Sequence, residues 1–312
     1  MMRSLSLELI HRAALAGVAI AAAASCTAGT SSPDGGMASC TNIVGDRKMQ
    51  VCLRWKCDRA DRSEGTWNGS LSACFAGDNA IGRANALKMV NLQRFLAQLP
   101  EVVSDPARDQ KAQQCALMMN ANRQLSHMPP SNWSCYTDGG AEAAAMSNLA
   151  SARGVEAVEL YMVDAEDPTA LGHRRWLLSL SLGPVGLGST FEYSCLWVGG
   201  GSGTATRSWV AWPPPGPFPF EAFAPTSTGS LDSSGWSVQS DSIDFSRAAV
   251  AVSDTGVNLP VSTFQLSNAF GSAFAIGFTP LGWSVQPSHT YDVRVTGVTP
   301  EINYAVEVVN CL

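Results

Sequence analysis

The chain has 312 residues, enough for two modest domains, and 46% of them are hydrophobic while only 15% are charged. Its formal net charge is −6 and it contains no run rich in lysine and arginine, which argues against nucleic acid as a partner. It also lacks a P-loop, a dinucleotide-binding glycine pattern and a G-x-S-x-G nucleophile elbow, so the enzyme classes built on these motifs are excluded.

The N-terminus has the pattern of an export signal, predicted over residues 1–25. Two early arginines precede an apolar run at 13–24, which is too short to cross a membrane comfortably. The small residues before Cys26 resemble a bacterial lipobox, which implies a lipidated Cys26 and a membrane anchor in the cell envelope. An ordinary cleaved signal with Cys26 merely nearby is the alternative. Residues 26–39 are rich in serine, glycine and proline and are predicted to be a flexible tether.

Cysteine usage agrees with export. Apart from Cys26 there are eight cysteines, an even number that predicts up to four disulfides of undetermined pairing in an extracellular protein. A zinc cluster at Cys52 and Cys57 is disfavoured, because their spacing is not C-x-x-C and no histidine is near. Cys311 is expected to tie the C-terminal region to another part of the chain. The eight are Cys40, Cys52, Cys57, Cys74, Cys115, Cys135, Cys195 and Cys311.

The first half of the mature chain is predicted to be mainly helical. Residues 40–80 hold half of these cysteines and indicate an irregular, disulfide-stapled extension. Apolar residues at helical spacing then predict helices over 81–100, 104–127, 140–150 and 153–167. The second of these should begin with Asp105 as its N-cap and Pro106 at its first helical position.

Further along, the apolar period changes from that of a helix to that of a strand. Short segments rich in aromatic and β-branched residues predict strands over 184–190, 192–200 and 207–212. The sequence WPPPGPFP at 212–219 predicts a rigid connector, followed by a linker over 217–235. Six or so short alternating segments over 236–312, the residue face Tyr291, Val293 and Val295 among them, predict a small antiparallel β-sandwich. The fold class is therefore predicted to be α+β.

The histidines are the strongest candidates for catalytic or metal-binding residues in this sequence. Of the four, His11 belongs to the signal and His289 to a predicted surface loop. His127 and His173 both lie beside predicted helices, and each is either a site residue or a hydrogen-bonded structural histidine.

Six short sequence pieces resemble motifs of the CAP superfamily, and they occur along the chain in the order that is typical of that family. This superfamily comprises the cysteine-rich secretory, antigen 5 and pathogenesis-related (SCP-like) proteins, and the likeness is to a two-domain bacterial subgroup. It covers residues 81–216 and implies an α-β-α sandwich, followed here by the β-sandwich over 236–312. The pieces are N-x-x-R (91–94), LSH (125–127), SNLA (147–150), EAVELYMVD (156–164), GHRRWLL (172–178) and VGLG (185–188).

The resemblance also implies a cleft lined by two histidines and two acids. His127 and His173 match the histidines, and Asp164 takes the place of the later acid. Ser147 aligns with the earlier acid, so that carboxylate is missing where it is expected. Glu142 could substitute for it, but five residues along a helix turns it towards another face.

Two interpretations of the predicted cleft residues are compatible with the sequence. His127, His173 and Asp164 are an acceptable ligand set for a labile Zn²⁺ site with a bound water. The alternative is a buried hydrogen-bond network between helices and sheet.

The two arginines that follow His173 are interpreted as structural. Arg174 and Arg175 are expected to pair with nearby acids and so to fix the loop, and residues 176–178 should lie in the core. The acids are Asp164, Glu166 and Asp167.

Three functions follow from the sequence. The first is a non-catalytic extracellular binding module for a lipid, a glycan or a protein, which a lost acid favours. The second is a metal-dependent hydrolase with Zn²⁺ between His127 and His173 and Asp164 as base. The third is a structural or adhesive envelope protein whose cleft is filled by its own Trp or Met side chains.

Overall fold

The computed structural model describes residues 43–312. The predicted signal peptide, the predicted lipidation site Cys26, the predicted tether and Cys40 lie outside the described residues. Among residues 43–312, no helix is long and apolar enough to cross a membrane.

Seven α-helices are present in the described part of the chain, and the predicted segments 81–100, 104–127 and 153–167 each contain one. Asp105 caps the third helix by accepting from the backbone N–H groups of Ala107 and Arg108, and Pro106 occupies the first turn as predicted. The helices are α1 Arg47–Asp58, α2 Ala80–Leu96, α3 Pro106–Asn122, α4 Asp138–Met146, α5 Gly154–Val163, α6 Gly172–Leu177 and α7 Leu231–Ser234.

Helix α1 lies within the segment that was predicted to be irregular. Asp46 caps it by accepting from the N–H of Met49, and Val51 and Trp55, four residues apart, are its buried residues. That spacing places both side chains on one face, which packs into the main hydrophobic core. The extension is therefore tied to the rest of the protein by packing as well as by disulfides.

A small antiparallel sheet lies among the helices, with strand order β1-β3-β2. Its strands are β1 Ser147–Ala150, β2 Gly186–Ser189 and β3 Ser194–Trp197. The predicted helix over 140–150 is thus only half right, because α4 ends at Met146 and SNLA is a strand.

Helices cover both faces of this sheet. Leu149 and Cys195 join the core cluster of α3 and α4, whereas their neighbours Ala150 and Leu196 join the cluster that contains α2 and α5. Successive strand residues point to opposite faces, so this alternation puts α3 and α4 on one side and α2 and α5 on the other.

Two larger sheets form the C-terminal region. One has the order β4-β6-β10-β9 and the other β5-β12-β11-β7-β8. The sheets share a core, in which the ring of Trp236 lies 6.0 Å from that of Tyr291. The predicted alternation is confirmed, because Tyr291, Val293 and Val295 are buried. The strands are β4 Val210–Trp212, β5 Gly216–Pro219, β6 Trp236–Ser240, β7 Ala249–Asp254, β8 Val257–Leu259, β9 Val261–Gln265, β10 Phe274–Pro280, β11 Thr290–Thr296 and β12 Ile302–Val309.

The predicted connector and linker differ from the observed structure. Strand β4 pairs with β6, and β5 pairs in parallel with β12, so residues 210–219 belong to both large sheets. The prolines of β5 are tolerated because β5 is an edge strand, where one side needs no backbone donor. One hydrophobic cluster runs from α1 to Cys311, and residues 43–312 form a single compact unit.

Three disulfides join described cysteines: Cys52–Cys311, Cys74–Cys135 and Cys115–Cys195. Cys57 is disulfide-bonded as well. The expectation that Cys311 ties the C-terminal region to another part of the chain is confirmed, since its partner lies in α1. Disulfides of this number are typical of proteins that fold in an oxidising, extracellular environment.

Candidate histidine cleft

The sequence ALGHRRWLL at 170–178 forms α6 and its flanks, and its polar residues face different surroundings. Arg174 and Arg175 are fully buried, with 0% of their surface exposed. The side chain of His173, between the helix start and these arginines, keeps 31% of its surface exposed. His173 is therefore the polar residue of this segment that can meet a ligand.

Arg174 fastens the helical region to the C-terminal sheets. Its guanidinium donates to the carbonyl oxygens of Met162, Val163 and Gly235, each at 2.7 Å, and to Ser234 Oγ at 2.9 Å. The expected ion pairs with acids are wrong for this residue, because its side chain finds carbonyls and hydroxyls instead. Burial lowers the pKa of Arg174 to about 10, so the side chain stays charged at neutral pH.

Arg175 holds the loop at 267–272. Its guanidinium donates to Ser272 O at 3.1 Å and to the carbonyls of Ala170 and Ser267. Phe270 of this loop packs so tightly on α6 that a Cβ at Gly172 would lie 2.7 Å from its ring. The C-terminal region thus contributes an aromatic wall beside His173.

Asp164 orients His173. One carboxylate oxygen lies 2.7 Å from His173 Nδ1, and the other accepts from the backbone N–H of Arg174 at 3.1 Å. Asp164 is only 3% exposed, and the ring of Tyr161 stacks on the imidazole at 5.1 Å. In the neutral imidazole, the carboxylate holds the proton on Nδ1, and Nε2 is left to act as acceptor or ligand.

These neighbours shift the protonation of His173. Burial alone lowers its pKa, but the hydrogen bond and charge of Asp164, helped by Asp167 and Glu166, outweigh burial and raise the pKa above its ordinary value. The imidazolium form is thus more stable in the folded protein than in the unfolded chain.

The two predicted histidines, His127 and His173, both line a cleft of about 450 Å³. His127 is exposed, with Nδ1 2.9 Å from Ala144 O. Trp176 and Phe270 give the cleft aromatic walls. A second cavity of about 350 Å³ adjoins it, and His173 lines both.

Of the remaining predicted site residues, Ser147 lies in the cleft and Glu142 does not. Ser147 lines the cleft, and its buried hydroxyl has no hydrogen-bond partner within the described residues. Glu142 pairs with Lys111 of α3 at 2.6 Å rather than with either histidine, so it is not a substitute for the missing acid. His289 is exposed on the C-terminal sheets and bonds Asp254.

Sequence reasoning missed three residues that line the cleft: Asn148, Trp176 and Phe270. Trp176 was assigned to the core, but it is partly exposed and lines the cleft. No sequence pattern around Phe270 indicated a role in the site, since it reaches the cleft from a loop nearly a hundred residues after His173. Asn148 could have been identified from its place in the piece SNLA. Its side-chain amide donates to His173 O at 3.0 Å.

The contacts of Asp164 decide whether it could serve as a zinc ligand. Within the described part of the chain, no group of three His, Cys, Asp or Glu residues is placed to hold a metal ion. Both oxygens of Asp164 are engaged, by His173 Nδ1 and the N–H of Arg174, so Asp164 does not fit as a third ligand. Its contact with Nδ1 is that of a residue that orients a histidine.

The raised pKa of His173 makes a prediction about pH. The folded state binds the proton more tightly than the unfolded state, so this contribution to stability is complete below the unfolded pKa of about 6.5 and is lost as pH rises through the folded pKa. We expect Asp164→Asn to remove this decline, because asparagine is neutral and tolerates the left-handed backbone there (φ 54°). Urea unfolding between pH 5.5 and 9 measures it.

His127→Gln is the control for this measurement, since no carboxylate bonds that histidine, and it should keep the decline. An equal pH slope in Asp164→Asn and in the unmodified protein would contradict the assignment.

Comparison of the chain with protein-family models, with curated proteins and with solved structures found no match.

Proposed function

We propose that this chain is an exported, lipid-anchored extracellular binding protein with a CAP-type domain, and that its ligand occupies the histidine cleft. The observation that carries the proposal is the buried Asp164, which holds His173 in the wall of an open cleft of about 450 Å³. Ligand sites of this kind are concave, largely apolar and preformed, with a few fixed polar groups.

The architecture of the helical region supports the CAP assignment. A small antiparallel sheet with helices on both faces is the arrangement that the resemblance implies, and the pieces LSH, SNLA and GHRRWLL supply His127, Ser147 and His173 to one cleft. The disulfides support export, and the lipid anchor rests on Cys26 alone.

The cleft also distinguishes binding from a purely structural role. A vestigial cleft would be filled by Trp or Met side chains. Here Trp176 and Met146 lie in the walls and leave the space open, which favours a ligand over a filled, structural cleft.

Metal-dependent hydrolysis is the second candidate, and the Asp164–His173 pair is what favours it. A buried carboxylate on Nδ1 raises the basicity of Nε2, whether the histidine acts as a base or holds a metal. Asp164 would act on the histidine rather than on zinc, because both of its oxygens are engaged. Stoichiometric zinc in the purified protein, lost when His127 and His173 are both replaced by alanine, would favour this candidate.

Blocking the cleft tests the binding proposal. Ala145 is exposed at the end of α4 and lines the cleft, so Ala145→Trp should fill it without disturbing the core. We expect the variant to lose at least about tenfold in affinity for whichever lipid, glycan or peptide a solution panel identifies with the unmodified protein.

Glu142→Trp is the matched control, on the same helix but outside the cleft, and should bind normally. If the panel yields no ligand, or if Ala145→Trp binds its ligand as the control does, the cleft is not the binding site.

A further inference from the structure

Strand β1 is an edge strand, and no other strand of residues 43–312 pairs with its outer edge. The small sheet has the order β1-β3-β2, so β1 pairs with β3 on one side only. An unpaired edge presents backbone N–H and C=O groups that another extended chain can bind.

The register shows which residues face outwards. Val198 N donates to Met146 O at 2.9 Å, and Ser147 lies opposite Trp197. Hydrogen-bonded pairs alternate with non-bonded pairs in an antiparallel ladder, so Met146, Asn148 and Ala150 bond β3. The backbone groups of Ser147 and Leu149 therefore point away from β3, and no described residue bonds them.

Both cavities lie along this edge. The cavity of about 450 Å³ is lined by Ser147 and Asn148, and that of about 350 Å³ by Leu149 and Ala150. His173 lines both and stands between them. The four residues of β1 are only 2–8% exposed, so this edge forms the floor of the two cavities rather than an open rim.

A side chain at the same edge also lacks a partner. Ser147 is 5% exposed, its hydroxyl is buried without a hydrogen bond among the described residues, and it lines the larger cavity. A buried hydroxyl of this kind is costly unless a ligand or water satisfies it.

We propose that an extended peptide segment of another protein binds this cleft by adding a strand to the free edge of β1. This inference rests on the proposed function and names the ligand class. Ser147 and Leu149 offer donors and acceptors about 7 Å apart, the repeat of alternate residues in a strand. An extended polypeptide matches that repeat along its whole length, whereas a sugar or an acyl chain does not.

The walls indicate what the peptide side chains meet. Successive side chains of the added strand point to opposite faces of the sheet. One face holds α6 with Trp176, and the other holds the connection between α3 and α4. Met146, which lines the larger of the two cavities, is 41% exposed and gives its rim apolar surface. The segment bound is therefore expected to carry apolar side chains.

The first test uses an array of 10-residue peptides with acetylated and amidated ends. Peptides that bind are measured by fluorescence polarisation and are then methylated on one backbone nitrogen at a time. Methylation removes a donor, so we expect losses of at least about tenfold at every second position and little change between them. Binding without this two-residue period would overturn the proposal.

The second test measures hydrogen exchange of the backbone amides of β1 with and without bound peptide. A bound peptide should slow exchange of the Ser147 and Leu149 amides and leave those of Asn148 and Ala150 unchanged, because these already bond β3. Peptide binding should be lost in Ala145→Trp and kept in Glu142→Trp. Uniform slowing, or no slowing, along β1 would contradict strand addition.

The outcomes separate the two proposals. If no peptide binds but a glycan or a lipid does, and Ala145→Trp abolishes that binding, strand addition is wrong and the binding cleft stands. If nothing binds in a manner sensitive to Ala145→Trp, both are wrong.

Discussion

Replacing Arg174 with methionine is expected to lower the free energy of unfolding by about 3–5 kcal/mol. Methionine keeps much of the volume but donates no hydrogen bond. The carbonyls of Met162, Val163 and Gly235 would then be buried without their donor. Each buried polar group left without a partner costs roughly 1–3 kcal/mol, and partial relaxation keeps the total below the sum.

Urea unfolding at pH 7 measures the change. Arg294→Met is the matched control, since Arg294 is an exposed residue whose ion pair with Glu301 should be worth less than about 1 kcal/mol. Equal effects of the two substitutions would show that the Arg174 hydrogen bonds do not hold the helical region to the C-terminal sheets.

The arginines explain why His173 can be placed so accurately. Arg174 ties the end of α5 to β6, and Arg175 ties the start of α6 to the loop at 267–272. Since His173 directly precedes them on one helix, its backbone is fixed from both sides. Asp164 and Tyr161 then fix the ring itself, which is the preorganisation that a binding site requires.

Local patterns accounted for most of the elements. Helix α3 begins where Asp105 and Pro106 predict it, and β11 and β12 alternate as their apolar residues predict. These features depend on neighbours within one turn or one strand, and such neighbours can be read from the sequence. Strand β4 lies within a predicted strand segment, whereas β5 lies in the segment predicted to be a rigid connector, because its prolines indicated polyproline structure rather than a strand.

The site was predictable only where residues carry a distinctive chemistry. His127, His173, Asp164 and Ser147 could be named, and the larger cleft is lined by His127, His173 and Ser147. The partners of Arg174 and Arg175 could not, because backbone carbonyls occur at every residue and leave no sequence signal. The sequence left Asp164 open between a zinc ligand and a member of a hydrogen-bond network, and its contact with His173 Nδ1 depends on tertiary packing.

The first helix shows a different limit. Helix α1 has only two buried residues among its 12, and the cysteines around it favoured an irregular interpretation. Its stability comes from packing against the core and from the bond between Cys52 and Cys311, both of which are long-range. No local pattern reports such contacts.

Removing the Cys52–Cys311 disulfide is expected to cost roughly 3–5 kcal/mol of stability. The two cysteines are 259 residues apart, compared with 80 and 61 for the other two bonds that join described cysteines. A crosslink restricts the unfolded chain more when the loop it closes is longer, so this bond should contribute most. It also secures α1, the element with the fewest buried residues of its own among the long helices.

Replacing both Cys52 and Cys311 with serine, and measuring urea unfolding under non-reducing conditions, tests this expectation. The pair Cys74→Ser with Cys135→Ser is the matched control, because that bond closes the shortest loop of the three and lies at an exposed position. The control should lose less stability. A larger loss in the control would mean that native packing around residues 74 and 135, rather than restriction of the unfolded chain, decides what these crosslinks contribute.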